Sequence, residues 1–259
     1  MGGEVIDDLV ILGRGAPDQM KDGRVTICTA GWSQRLGFVR VYPTRTSSPL
    51  KQWNIVSVRV ERSPSDSRPE SWKIQGSKDE WDRLDYKINV VDQLKGPDRR
   101  DLIRRLVTGC VNDTNDAHGS LAIVRPVRVE GYLGERSDVD TSVQKTLFGG
   151  ELERTKKGYQ FQPRLKYECS ACRAKGGHDQ QLIEWGCYEW FRKQPGKEEQ
   201  VFENLGIGDP AWEHHLFVGN QANHRQSFLT IGVIRWKRWR GSPRPAPPIE
   251  ERFTLSAKR

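Results

Sequence analysis

Two cysteines three positions apart, Cys169 and Cys172, and a histidine that follows a Gly-Gly pair, His178, are the residues best suited to binding a metal. Two thiolates on one tight turn and an imidazole can occupy three corners of a tetrahedral Zn²⁺ site, with Zn–S distances of about 2.3 Å. A second Cys-x-x-Cys pair is missing, so the fourth ligand stays open. The candidates for it are Cys110, His214, His215 and a water molecule.

A closed zinc site would be structural, fixing its turn and presenting Arg173 and Lys175 outward. Catalysis would require an open ligand position and a general base, for which Glu184 is the candidate. The alternative function is therefore a metal-dependent nuclease or a nucleotide-modifying enzyme that uses His178 and Glu184. The zinc deaminase motif order is absent. Reduced cysteines without a metal, or a redox dithiol, are the other interpretations of the pair.

Near the C-terminus, two tryptophans alternate with four cations in the run Arg235, Trp236, Lys237, Arg238, Trp239 and Arg240. A second basic and aromatic group contains Arg40, Tyr42 and Arg45. Cations can contact phosphates while an indole stacks on a base, and this combination favours single-stranded or flipped nucleotides. The alternative is an edge strand that buries one tryptophan and leaves its charges in solvent.

Charge and composition point to the same class of partner. The 259 residues carry a formal net charge of +8, which favours polyanions, and DNA or RNA above all. A protein-interaction subunit with an acidic partner is a third possibility. Five irregularly spaced cysteines argue against a disulfide framework. We find neither a secretory signal nor a membrane-spanning run, and expect a reduced, cytoplasmic protein without a membrane partner.

The N-terminal third has the patterns of β-strands. Residues 25–32 and 38–42 flank a turn with Gly37 and predict a hairpin, and residues 54–62 alternate apolar and polar side chains. Further strands are predicted at 121–132, 159–168, 215–218 and 228–234. Helices are predicted at 78–92, from a capping-box pattern, at 97–108, and at 180–193.

These elements predict an α+β fold. A β-rich N-terminal lobe with two helices, and with a small barrel as its expected form, would occupy residues 1–133. Residues 134–158 would form a linker or long loop. Residues 159–240 would form a unit of strand, Cys-x-x-Cys turn, helix and strands, and the proline-rich residues 241–259 a disordered tail.

Several short motifs occur in a fixed order: CTAG and FVRVYP at 28–43, SDSRPES at 65–71, the Cys169–His178 turn, and FVGN at 217–220. In this order the chain resembles a family of uncharacterised bacterial and archaeal proteins. The resemblance implies no activity. The sequence therefore predicts a non-catalytic nucleic-acid-binding protein with a basic and aromatic surface and a structural zinc knuckle.

Overall fold

A computed structural model describes residues 3–77, 79–139 and 154–238. In chain order, the strands among these residues are β1 (Glu4–Arg14), β2 (Asp18–Gln19), β3 (Val25–Ser33), β4 (Gly37–Thr44), β5 (Asn54–Arg62), β6 (Ser71–Ile74), β7 (Ile88–Gln93), β8 (Val107–Thr108), β9 (Leu121–Val124), β10 (Pro126–Glu135), β11 (Phe161–Cys169), β12 (His178–Gln181), β13 (Trp212–Gln221) and β14 (His224–Lys237). The helices are α1 (Gly96–Leu106), α2 (Val111–Asp116), α3 (Trp185–Lys193) and α4 (Gln200–Asn204), with 3₁₀ segments at Trp81–Lys87 and Lys156–Gly158.

Five strands close into a barrel in the N-terminal region, which confirms the predicted small barrel. Their order is β1-β3-β4-β6-β5, and β5 pairs back with β1. Strands β4 and β6 are parallel, while the other pairs of the barrel are antiparallel. The predicted hairpin is β3 with β4, and its turn residue Gly37 has a positive φ of 73°.

Alternation of side chains explains how the barrel is filled. Val56, Val58 and Val60 point from β5 into the barrel core, while Arg59 between them faces solvent. The strands also approach closely where β1 crosses β3. A Cβ on Gly31 would lie 2.1 Å from the carbonyl oxygen of Val10, so only glycine fits at this point.

The remainder of the chain is also strand-rich. A four-stranded sheet has the order β14-β13-β9-β8, and a three-stranded sheet has the order β10-β11-β12. One apolar core lies between these sheets, α3 and α4. Another joins barrel residues of β1 to β9, β13, β14 and α1, so the barrel packs directly against the four-stranded sheet.

Two helix predictions were wrong, the first in its type and the second in its start. In place of the first helix, Trp81–Lys87 form the 3₁₀ segment and Ile88–Gln93 form β7, because the β-branched Val90 and Val91 belong to a strand that pairs with β5. The predicted capping box of Ser77 and Glu80 is not formed, because the Ser77 N–H donates to the Ile74 carbonyl and the Glu80 N–H donates to the Gly76 carbonyl. The helix predicted from residue 180 begins at Trp185, since Gln180 and Gln181 pair with β11.

The other predicted elements occur within a few residues of their expected bounds. Pro126 coincides with a register shift between β10 and β11, as its missing N–H donor suggests. Residues 134–139 and 154–158 of the predicted linker are described, and Gly134 and Glu135 continue β10. Residues 140–153 and the predicted tail, 241–259, lie outside the described residues. The proposed division of the chain into lobes stays a prediction.

Candidate metal centre and cationic surface

Three cysteines and one histidine meet at a single point. The Sγ atoms of Cys110, Cys169 and Cys172 and a ring nitrogen of His178 all lie within 4.8 Å of one another. The His178 Nε2 atom is 3.4 Å from the Sγ atoms of both Cys110 and Cys172. Tetrahedral Zn²⁺ with ordinary bond lengths would separate sulfur from nitrogen by about 3.6 Å. The spacing therefore fits one metal ion bound by all four residues.

The backbone of β11 and β12 places three of these ligands. Cys169 ends β11, and the chain turns back so that His178 pairs with Tyr167. Gly176 and Gly177 make this turn with φ values of 82° and 78°. A Cβ on Gly177 would lie 2.6 Å from the carbonyl oxygen of Tyr167, so a glycine is required there.

Cys110 completes the group and is the candidate fourth ligand whose sulfur lies beside the other three ligand atoms. It immediately precedes α2, and the N–H of Ala171 donates to the carbonyl of Gly109 at 3.2 Å, which joins the two segments. The other two candidates are engaged elsewhere. His214 Nε2 lies 3.0 Å from the carbonyl oxygen of Leu205, and the ring of His215 packs on Trp236.

Burial changes the protonation of two residues of this group. Burial, with the neighbouring Cys110 and Cys172, raises the pKa of the Cys169 thiol, although the backbone N–H of Val111 donates to it. Burial also lowers the pKa of His178, which favours the neutral imidazole that metals bind. A metal ion would neutralise the repulsion between adjacent thiolates. With four protein ligands the site is closed, which suits a structural role and leaves no position for a reacting water.

Arg173, which follows the Cys-x-x-Cys pair, is exposed as expected but not unpaired. Its guanidinium lies 3.1 Å from Asp113 and 2.6 Å from Asp116, both on α2. The acidic stretch that contains these carboxylates thus tightens the contact between α2 and the cysteine turn. Exposed pairs of this kind stabilise a fold by at most about 1 kcal/mol each.

Glu184 is not part of the metal group. It is the N-cap residue of α3, but its side chain makes no hydrogen bond to that helix. Its Oε2 instead accepts the N–H of Val233 on β14 at 2.7 Å. Burial raises the pKa of Glu184 to about 7, while Val233 N–H and the charge of Arg235 act in the opposite direction. Glu184 is thus outside the group of candidate metal ligands, and its predicted role as a general base beside His178 stays a prediction.

Two residues predicted to touch nucleic acid are buried, which corrects their proposed roles. Trp236 is 8% exposed, its ring centroid lies 4.5 Å from that of His215, and its Nε1 donates to Glu213 at 3.1 Å. It cannot stack on a base in this conformation because β14 directs it into the core. Arg40 is 2% exposed, since β4 directs it against the four-stranded sheet.

The other predicted residues lie nearer the surface. Arg235 lies over the Trp212 ring at 4.3 Å, Lys237 lies at 5.9 Å, and Arg238 Nε donates to the Trp212 carbonyl. Tyr42 is 40% exposed, while Arg45 donates to the Asp82 carbonyl and lies 3.6 Å from Asp85. Trp239 and Arg240 lie outside the described residues.

Sequence reasoning missed a buried polar junction between the barrel and the four-stranded sheet. Arg40 donates to the Ser120 hydroxyl at 2.9 Å and to the Ser120 and Asn220 carbonyls. Arg68 donates to the Asn220 carbonyl at 2.6 Å, and Glu70 accepts from the Ser120 N–H and hydroxyl. Arg40, Arg68, Glu70 and Asn220 come from three of the motifs quoted above, whereas Ser120 lies in none of them, so the order of the motifs was the available signal.

Comparison with known sequences identifies the family of the chain but gives no activity for it. No curated protein is significantly similar to it. No helix among residues 3–77, 79–139 and 154–238 is long and apolar enough to cross a membrane. Residues 6–106, which include the barrel, match the model of a domain of unknown function, DUF8758. Residues 104–252 match a second such model, DUF8757, and this match spans more than half of the chain. The chain therefore belongs to the DUF8757 family.

Proposed function

We propose that the protein binds nucleic acid without catalysing a reaction, through a cationic surface at the end of β14, and that zinc in the cysteine–histidine cluster holds the adjoining structure together. The observation that supports this most directly is that six cations lie around one end of the β13–β14 ribbon, where Trp212 pairs with Lys237. We define the cationic surface as Arg100, Arg104, Arg125, Arg235, Lys237 and Arg238.

Cations reach this end of the ribbon from both of its faces. Arg235 and Lys237 stand on the face that carries Trp212. On the opposite face, Arg100 of α1 lies 5.6 Å from the Trp236 ring centroid, and Arg125 contacts Glu213 at 2.9 Å. The burial of Trp236 brings α1 close to the strand, so helix and strand charges surround the same end of the ribbon from its two faces.

The tryptophans then have a different role from the one expected. An arginine held over an indole gains about 0.5–1 kcal/mol at an exposed site and loses part of its rotamer freedom. Trp212 and Trp236 would thereby hold guanidinium groups in position for phosphates. Such contacts give affinity and a strong salt dependence but carry no base sequence information.

Zinc is the metal we propose because thiolate and imidazole ligands suit it, whereas Mg²⁺ and Ca²⁺ select oxygen. Purified protein should contain about one zinc ion per chain after dialysis. Cys110→Ser should lose it, while Cys187→Ser, which changes a buried cysteine outside the cluster, should retain it. Equal zinc content in both variants would exclude Cys110 as a ligand.

The binding test compares two sets of three cations. Replacing Arg104, Arg235 and Lys237 with glutamine should weaken binding of a labelled single-stranded oligonucleotide at least 10-fold at low salt. The slope of log K against log salt should become shallower by about 2, since each single-strand phosphate contact contributes about 0.7.

The control replaces three exposed barrel cations, Lys21, Arg59 and Arg83, with glutamine and removes the same charge. It should bind nearly as the wild type does. Fluorescence anisotropy with single- and double-stranded DNA and RNA at two salt concentrations would identify the polymer. Equal losses in the two triple variants, or no binding of any polymer by the wild type, would reject the proposed surface.

A further inference from the structure

A pocket of about 570 Å³ opens between the barrel and the start of α3, away from the metal cluster. Its size is in the range of about 300–1,000 Å³ that is usual for small-molecule sites. The side chains that matter here come from distant parts of the chain. They are Arg14, Lys51, Gln52, Glu184, Trp185 and Lys193.

One wall of the pocket is flat. The guanidinium carbon of Arg14 lies 4.0 Å from the centroid of the Trp185 ring, and an Arg14 Nη2 donates to the Thr46 carbonyl at 2.9 Å. The stacked pair is therefore held from the barrel side. A planar, polarisable ligand is the natural complement of such a wall, because bases stack on indole and guanidinium planes alike.

Polar groups line the same space. Glu184 uses Oε2 to accept the Val233 N–H, which leaves Oε1 for a ligand. Gln52 donates its Nε2 to the Leu12 carbonyl at 2.9 Å, which leaves its side-chain oxygen as an acceptor. Because burial raises the pKa of Glu184 to about 7, this carboxyl can either donate or accept a hydrogen bond at neutral pH. A nucleobase has hydrogen-bond donors and acceptors along one edge, which these two side chains could bind.

The lining of the pocket also carries positive charge. Lys51 and Lys193 add ammonium groups to the guanidinium of Arg14. The second carboxylate of the lining, Glu189, forms ion pairs with Arg192 and, at 3.8 Å, with Lys193. The balance favours a ligand that carries negative charge beside its planar part. A base joined to a phosphate has both.

The pocket also adjoins the cationic surface. Val233, which binds Glu184, is two residues before Arg235 on β14, a distance of about 7 Å along a strand. The charge of Arg235 acts on Glu184 directly. We infer that the pocket receives an unstacked nucleobase, with its ring on the Trp185–Arg14 wall, its polar edge toward Glu184 and Gln52, and its phosphate near Lys51 or Lys193. This inference rests on the proposed function where the base belongs to a polymer.

The first experiment uses a single-stranded oligonucleotide with one 2-aminopurine. Binding to the wild type should raise its fluorescence several-fold, because the base leaves its neighbours. Trp185→Leu should abolish the rise and weaken binding at least 5-fold without changing the salt slope, in contrast to the cationic-surface variant. Trp81→Leu is the matched control, since Trp81 also carries an arginine, Arg24, at 4.7 Å. Binding by the wild type without any rise in fluorescence would overturn a base pocket.

Free mononucleotides separate the two sources of the ligand. If oligonucleotides do not bind at all, the proposed function fails, and calorimetry with the four ribonucleoside monophosphates then decides the pocket. Binding that falls at least 3-fold in Lys51→Gln, an exposed residue, but not in Lys21→Gln would support a free nucleotide as the ligand. No binding of either ligand form, or equal binding by the two lysine variants, would overturn the inference.

Discussion

Replacing Glu184 with glutamine should stabilise the protein at alkaline pH and have little effect in acid. The side chain is partly buried beside β14, and this burial raises the pKa of its carboxyl from 4.5 to about 7. The folded state therefore holds a proton that the unfolded chain releases above about pH 4.5. Wild-type stability falls as pH rises through this interval and becomes independent of this group above about pH 7. Glutamine keeps the acceptor for Val233 N–H and carries no charge.

The size of the effect follows from the difference between the two pKa values. A rise from 4.5 to about 7 corresponds to about 3 kcal/mol, at about 1.4 kcal/mol per pH unit. Solvent at the pocket entrance reduces this figure, so 1–3 kcal/mol is expected at pH 8, as an order of magnitude. Near pH 4.5, where both side chains are neutral, the two proteins should differ by less than about 0.5 kcal/mol.

Urea denaturation of both proteins between pH 4.5 and 8.5 would measure this difference. His215 contributes the opposite dependence, since burial lowers its pKa to about 4 and stability is lost as pH falls below about 6.5. That contribution is common to both proteins and cancels in the difference. Glu189→Gln is the control on the same helix. Its carboxylate pairs with Arg192, which lowers its pKa, so glutamine should be neutral or destabilising at pH 8. A variant Glu184→Gln that is no more stable than the wild type at pH 8 would show that this carboxyl is well solvated.

Three further outcomes are expected. A zinc chelator should lower the melting temperature by more than about 5 °C, measured by circular dichroism, and added Zn²⁺ should restore it. An unchanged melting temperature would contradict a structural role of the metal. Gly177→Ala should destabilise the protein by about 1–3 kcal/mol in urea and weaken zinc retention, whereas Gly176→Ala, which has open space for its methyl group, should cost only the strain of its positive φ. Arg40→Met should cost about 2–4 kcal/mol in the same assay because it removes several hydrogen bonds made by a buried charged group, although the Ser120 and Asn220 carbonyls keep the Asn220 N–H and Arg68 as donors. Arg59→Met on the exposed side of β5 should stay within about 0.5 kcal/mol, and similar values for the two variants would contradict a buried junction.

Local patterns predicted much of this molecule because many elements depend on local chemistry. The alternation in β5 and the glycine turn of the β3–β4 hairpin were sufficient to locate strands of the barrel. Likewise, Cys169, Cys172 and His178 lie close together in sequence, and a single turn brings their ligand atoms together. Closure of the barrel through β1 and β5 depends on pairing between distant segments, and here the sequence supported only an analogy.

The failures have the same physical origin. The contact between α2 and the cysteine turn places Cys110 beside Cys169, Cys172 and His178, and no spacing rule encodes this contact. The cations beside Trp236 led to its proposed role in stacking on a base, with the burial of one tryptophan as the alternative. Trp236 is buried because side chains alternate along β14 and α1 covers the inner face of that strand. Strand pairing also overrode the helical pattern at 78–92, since β5 offers β7 a partner that an isolated segment lacks.

The buried junction of Arg40 with Ser120 and Asn220 bears on how the two family segments depend on each other. Arg40 belongs to the first segment, and its hydrogen-bond acceptors belong to the second. Cutting the polypeptide near residue 105 would separate the Arg40 guanidinium from its acceptors. It would also expose to water the apolar side of β1 that packs on Phe217 and Ile231. Each fragment alone would have apolar and polar core groups exposed, so we expect the two halves to unfold together as one cooperative unit.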